Sequence, residues 1–244
     1  KYRFTMKNVL NVLEQLIAFK SITPTGKEAI DFVADYLQKL GFECLIKTFG
    51  PNGQEVTNLY ATLGHEAPNI CFAGHIDIVP PGDEKLWQSD PFQMQVKDDL
   101  VFGRGTVDMK GAIACCLVAV SEFLKENKNH NGTISFLLTT DEEGDGTHGL
   151  KEMLEYIKDI EPKIDFCILG EPTTEHEVGD TIKIGRRGSI NFDLTINGKQ
   201  GHVAYPEKAI NPMPIVISAL KGLIETEFDS GSEFFQKSNL EITS

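Results

Sequence analysis

The sequence predicts an α/β fold: a mainly parallel sheet with helices on both faces, followed by a smaller α+β unit. Two observations carry that prediction. Over residues 69–169, short runs of β-branched and aromatic residues alternate with helix-length segments, which demands crossover connections and hence parallel strands. After Val178 the texture changes to short alternating runs with tight turns, the mark of an antiparallel unit. The 244 residues, 41% of them hydrophobic and 24% charged, suffice for a sizeable core, divided here into domains at 1–180 and 181–244.

The elements follow in order. Val9, Val12, Leu13, Leu16 and Ile17 recur at helical spacing within Met6–Lys20, and Ile30, Val33, Leu37 and Leu40 repeat the pattern before Gly41. Residues 42–48, 56–63 and 69–74 are strand-like, and Phe92–Phe102 forms a short hairpin turning at Asp98-Asp99. Residues 109–125 are apolar on almost every side, as in a helix buried between layers. A buried strand over Thr133–Thr139, a helix over Leu150–Ile160 and a buried strand over Asp165–Leu169 complete the first domain. The second reads as strands at Thr181–Ile184 and Ser189–Asn197, a turn at Asn197-Gly198, a helix over Pro214–Glu227 and a strand beginning at Leu240–Thr243. That pattern breaks off at Ser244, so the chain reads as a fragment.

A net charge of −13, from 23 basic and 36 acidic residues, works against binding to nucleic-acid phosphates or anionic membranes. Small molecules and cations are the expected partners. No apolar run approaches the roughly 20 residues of a bilayer span, and no apolar leader follows Lys1, so the expected location is cytoplasmic. Five cysteines without CxxC spacing read as buried thiols of a reducing compartment. Nucleotide loops and a Gly-x-Ser-x-Gly elbow are both missing.

Polar residues concentrate where strands end, which is where open α/β sheets gather ligands. His75 and Asp77 follow one strand, Asp108 follows Gly103-Arg104-Gly105, Asp141-Glu142-Glu143 follows Thr139-Thr140, and Glu171 follows Leu169-Gly170. Asp77, Asp108, Glu142, Glu143 and Glu171 would repel one another at a shared dry site unless cations held them. One imidazole with several carboxylates suits zinc, cobalt or manganese, and two ions would neutralise the cluster best. In extended backbone His75 and Asp77 project to the same side, so Asp77 could accept the imidazole's second N–H. Of two adjacent glutamates, one can ligate while the other stays free to carry a proton.

These residues sit in segments that resemble the M20 family of metal-dependent aminoacylases and peptidases. The matching segments are Gly74-His75-Ile76-Asp77, Trp87 with Asp90-Pro91-Phe92, Gly103-Arg104-Gly105 with Asp108-Met109-Lys110-Gly111, Asp141-Glu142-Glu143-Gly144 and Gly170-Glu171-Pro172. Gly185-Arg186-Arg187-Gly188-Ser189 and Gly201-His202-Val203-Ala204-Tyr205-Pro206 extend the likeness into the second unit. The resemblance implies two divalent ions, zinc or cobalt, bridged by Asp108. His75 and Glu171 would complete one site and Glu143 the other, with Asp77 orienting His75 and Glu142 as general base and acid. It further implies a lid and dimerisation domain from 181, whose His202 would stabilise the oxyanion across a homodimer interface, and Arg186 and Ser189 as holders of the substrate carboxylate. The implied reaction is hydrolysis of the amide of N-succinyl-LL-2,6-diaminopimelate, within lysine and diaminopimelate biosynthesis. Another N-acyl amino acid such as acetylornithine is the alternative substrate, and a non-catalytic metal-binding or dimerising scaffold the alternative role. The family's last metal ligand, a histidine near its C-terminus, has no counterpart here; His65, His130, His148 and His176 match no ligand motif and read as surface imidazoles.

Overall fold

The computed structural model describes residues 6–183 and 185–242. It divides into two compact units, Lys1–His176 and Glu177–Ser244. Residues 1–5, Ile184 and the last residue of the strand expected at Leu240–Thr243 lie outside the described residues.

The first unit begins with α1 (Met6–Ala18) and α2 (Lys27–Lys39), both amphipathic. In α1, Val12, Leu13, Leu16 and Ile17 turn inward, and in α2 Ile30, Val33, Ala34 and Leu37 do the same. Glu28 in the first turn and Lys39 in the last turn of α2 complement its dipole. Burial of each larger aliphatic side chain contributes about 1.5–3 kcal/mol, so these stripes dock the helices far more firmly than propensity could.

Five strands build the sheet: β1 (Glu43–Phe49), β2 (Val56–Leu63), β3 (Asn69–His75), β6 (Thr133–Thr139) and β7 (Phe166–Leu169), in the order β1-β2-β6-β3-β7. β3 pairs in parallel with both β6 and β7, whereas β2 is antiparallel to β1 and to β6. Four strands therefore run one way and β2 alone runs back, a mostly parallel sheet. A separate hairpin, β4 (Gln95–Lys97) with β5 (Leu100–Phe102), turns at Asp98 and Asp99. Both have positive φ, 52° and 63°, as a two-residue turn matched to strand twist requires.

Helices cover both faces. One core cluster joins α1, α2 and α3 (Gly111–Glu126) to Leu59, Ala61, Phe136 and Leu138; the other joins Met153 and Ile157 of α4 (Leu150–Ile157) to Tyr60, Cys71, Ala73 and Leu137. Alternate residues of β2 and β6 fall into opposite clusters, as the two-residue period of a strand dictates. The chain leaves β3 through α3 on one face to reach β6, then crosses the other face through α4 to reach β7. The carboxyl ends of β6, β3 and β7 thereby come to lie side by side.

Three expectations need correction. Only Cys71 is fully buried; Cys115 and Cys167 are exposed, the first on the outer side of α3 and the second on the edge strand β7. β7 itself is open rather than buried, with Phe166, Ile168 and Leu169 about half exposed or more, because it pairs on one side only. In the second unit no strand forms over residues 181–183 or 189–197 among the described residues, and none over 240–242. A ladder needs a partner alongside, and the described residues of this unit provide only an isolated bridge between Lys199 and Ile210. Its one long element is α5 (Met213–Ile224).

Candidate metal centre

His75 is the last residue of β3 and is fully buried. Its Nδ1 lies 2.9 Å from the main-chain carbonyl of Asp77 and can donate to it. That leaves Nε2 facing Asp108 Oδ1 at 3.0 Å, Glu171 Oε1 at 3.6 Å and Glu142 Oε2 at 3.9 Å. Burial opposes a charge on this imidazole, but hydrogen bonding and the negative charge of Asp77, helped by Glu142, outweigh it and hold the pKa up at about 9.

Asp77 is also fully buried, but it orients the centre differently from expectation. Its carboxylate lies 3.6 Å from His75 Nδ1, beyond a hydrogen bond, because the Asp77 carbonyl takes that proton. The carboxylate instead accepts the backbone N–H groups of Glu142 and Glu143, at 3.1 and 3.0 Å. Asp77 thus ties the loop after β6 to the loop after β3, and its negative charge acts on His75 through space.

Asp108 stands on the segment between β5 and α3, half exposed, and its peptide bond to Met109 is cis. The two residues after it are anchored in the protein. The Met109 sulfur accepts the backbone N–H of His75 at 3.3 Å. Lys110 is fully buried, and its Nζ donates to the carbonyls of Leu16 and Phe19 at 2.8 Å each. Those carbonyls belong to the end of α1 and the turn beyond it, where helices leave acceptors unsatisfied and favour positive charge. Desolvation lowers the Lys110 pKa to about 8, partly countered by Asp77. The segment from Gly103 to Gly111 points to Asp108 by its acidic side chain, and no local pattern in it shows what Met109 and Lys110 touch.

Glu143 has its pKa raised, first by burial and then by the charge of Asp108, with His75 acting in the opposite direction. Among the described residues two groups could hold a metal ion, His75 with Asp108 and Glu143, and His75 with Glu142 and Glu171; within each, one donor atom per residue lies within 4.8 Å of the others. Two unit charges 4 Å apart repel by about 4 kcal/mol even at an effective dielectric constant near 20. A divalent cation reverses the sign of that interaction. One imidazole nitrogen among carboxylate oxygens fits zinc or another borderline divalent ion, so the donor set suits a metal. A cavity of about 250 Å³ opens against Asp108 and Glu143, with Arg104 on its wall.

His202, Arg186 and Ser189 belong to the second unit, where all three are exposed. His202 Nδ1 accepts the N–H of Ala204 at 3.1 Å, and its ring lies 5.9 Å from that of Tyr205. His148 is paired with Glu152 at 3.0 Å, and His130 packs edge-on against Phe123 with its ring nitrogens buried, so neither is an open surface imidazole. Burial raises the thiol pKa of every cysteine, Cys71 up to about 12 and Cys44 and Cys116 up to about 11, which disfavours the thiolate.

Donor side chains from four separate segments, three of them following the parallel strands β3, β6 and β7, converge on a candidate metal centre in an α/β fold. A family model described as peptidase family M20/M25/M40 matches residues 71–241, and the chain belongs to that metal-dependent family. It is 57% identical over 236 residues to the succinyl-diaminopimelate desuccinylase of Rickettsia canadensis, covering 96% of this chain and 62% of that protein. The protein of the same name from Rickettsia prowazekii is 55% identical over 233 residues, covering 95% of this chain and 61% of that one. Among solved structures, human carnosine dipeptidase 1 shares the fold, with a TM-score of 0.61 at 24% identity over 69% of this chain and 39% of that one. The chain therefore spans about 62% of the length of these curated relatives.

Proposed function

We propose that this chain is the metal-binding portion, with the start of the lid, of an amide hydrolase that splits N-succinyl-LL-2,6-diaminopimelate into succinate and LL-2,6-diaminopimelate. The observation that carries the reading is the convergence of Asp108, Glu142 and Glu171 on Nε2 of His75. Identity of 57% to a desuccinylase across nearly the whole chain supports the substrate. On this reading His75, Asp108, Glu143 and Glu171 would hold two divalent ions, zinc or cobalt. Such ions supply Lewis acidity, which acidifies water and polarises a carbonyl.

The chain's own residues do the remaining work. Glu142 is half exposed at the rim of the cluster, so its carboxylate can reach both water and the leaving nitrogen. It takes a proton from the water that attacks the succinyl carbonyl and returns it to the amine nitrogen as the C–N bond breaks. Asp77 holds the Glu142 backbone N–H, which fixes where that carboxylate starts. Arg186 and Ser189 bind a substrate carboxylate, and His202, from the lid of a homodimer, donates to the developing oxyanion. On the same reading the working enzyme is cytoplasmic.

The test is Glu142→Gln in the full-length protein, assayed on N-succinyl-LL-2,6-diaminopimelate and, in parallel, on N-acetylornithine. Metal content should persist while kcat falls about 10²–10⁴-fold. Normal turnover by the variant overturns the role of Glu142, and preference for acetylornithine overturns the substrate.

A further inference from the structure

Met109 takes no part in the chemistry above, yet it touches the backbone behind the cluster at two points. It is fully buried, and its sulfur accepts the His75 N–H at 3.3 Å. The geometry of the sheet explains why that N–H needs it. Ile76 N–H donates to Thr139 on β6, so by alternation the N–H of His75 points to the β7 side. There the pairing of β3 with β7 ends at Ala73 opposite Leu169, two residues short of His75. The thioether stands where the next ladder acceptor would be, and a buried N–H without one is costly.

The end of the same side chain occupies the space that two glycines leave open. A Cβ on Gly74 would meet Met109 Cε at 2.4 Å and Sδ at 2.8 Å. A Cβ on Gly170 would meet Met109 Cε at 3.1 Å and Ala112 Cβ at 2.7 Å. Neither glycine has the positive φ that would by itself demand glycine, so close approach is the reason for both. Gly74 immediately precedes His75, Gly170 immediately precedes Glu171, and Met109 immediately follows Asp108.

We infer that Met109 is a positioning residue: its thioether, seated against Gly74 and Gly170 and bonded to the His75 N–H, sets the spacing of His75, Asp108 and Glu171. The inference rests on the reading of these residues as a metal centre. Leucine matches Met109 in volume and polarity but cannot accept the N–H and lacks the reach of the terminal methyl, so M109L separates positioning from core filling.

The experiment uses the full-length protein, stripped of metal and titrated with Co²⁺, read by calorimetry and by the visible absorption of bound cobalt. Amide hydrogen exchange at His75 is measured on the metal-free form. M109L should weaken Co²⁺ binding about 10- to 100-fold, the range for residues that orient ligands, change the cobalt spectrum and speed His75 exchange. G170A, which presses a methyl on Met109 from the β7 side, should weaken Co²⁺ similarly and serves if M109L does not fold. I113V shortens a buried side chain that lines a small apolar pocket with Met109 but is not among the atoms nearest a Cβ at Gly74 or Gly170, and it should lower Tm while leaving Co²⁺ affinity at the parent value. Parent-like affinity and spectrum in M109L, or an equal loss of affinity in I113V, overturn the inference alone. A parent that binds no Co²⁺ overturns the metal-centre reading and the inference with it.

Discussion

The two units of this chain treat similar apolar sequence in opposite ways. In Lys1–His176, alternate residues of β2 and β6 enter cores on both faces of the sheet, and every fully buried aliphatic side chain among the described residues lies there. In Glu177–Ser244, Ile190, Phe192 and Leu194 alternate just as regularly, yet all three are exposed, and no residue of α5 is buried. Period-two patterning is thus a capacity for pairing, and burial comes only when another strand or helix is present to receive the side chains. The proposed ligands sit in the unit with the interlocked core, where ligand positions can be held to fractions of an ångström.

That contrast can be broken most severely at the cluster itself. His75→Ala should abolish divalent binding in calorimetry, whereas His202→Ala, in the second unit, should leave the affinity of the metal-free protein unchanged; equal losses would mean that the ligand set is misassigned. Next in size, Phe136→Ala should cost about 3–5 kcal/mol in denaturant unfolding, since Phe136 packs against Phe42 and Phe72 with ring centroids 5.8 and 5.3 Å away. Phe192→Ala, at an exposed site, should stay within about 0.5 kcal/mol. Asp77→Asn keeps an acceptor but removes the charge, and should weaken metal binding about 10- to 100-fold with little change in fold.

A gentler test is pH. With its pKa held near 9, His75 in the metal-free protein is protonated at neutrality, so a cation must displace a proton from it. Apparent affinity should rise as pH increases, by roughly tenfold per unit up to about 9, and then level off. Calorimetry in buffers of different ionisation enthalpy would count the released proton, and a pH-independent affinity between 6 and 8 would contradict the raised pKa. Smallest of all, Lys110→Met should lower Tm by a few degrees through loss of two hydrogen bonds to the end of α1, offset in part because the buried charge goes too.

The gathering of the candidate ligand side chains on one rim was legible in the sequence. His75, Glu142, Glu143 and Glu171 each follow an apolar strand-like run, and parallel strands joined by crossovers must present their carboxyl ends on one rim. The partners that hold these residues in place were not legible. Asp77 looked like the acceptor for its neighbour's imidazole at i−2, but its carboxylate reaches the backbone of residues 142 and 143. Lys110 stood in the sequence only as part of the segment that follows Asp108, but it closes the end of a helix more than ninety residues earlier in the chain. Side-chain direction at a loop is set by whatever packs around it, and that information is spread over distant segments.

The amino-acid order by itself determined the helix stripes, the strand runs, the two-residue turn at Asp98-Asp99 and the acidic residues at strand ends, because each depends on periodicity or backbone preference within a few residues. Tertiary structure alone decided which carboxylate meets which nitrogen, that β2 runs against its neighbours, and that the alternating run from Ile190 to Leu194 stays unpaired. Those outcomes are contacts between segments far apart in sequence, and their free energy exists only once both partners are in place.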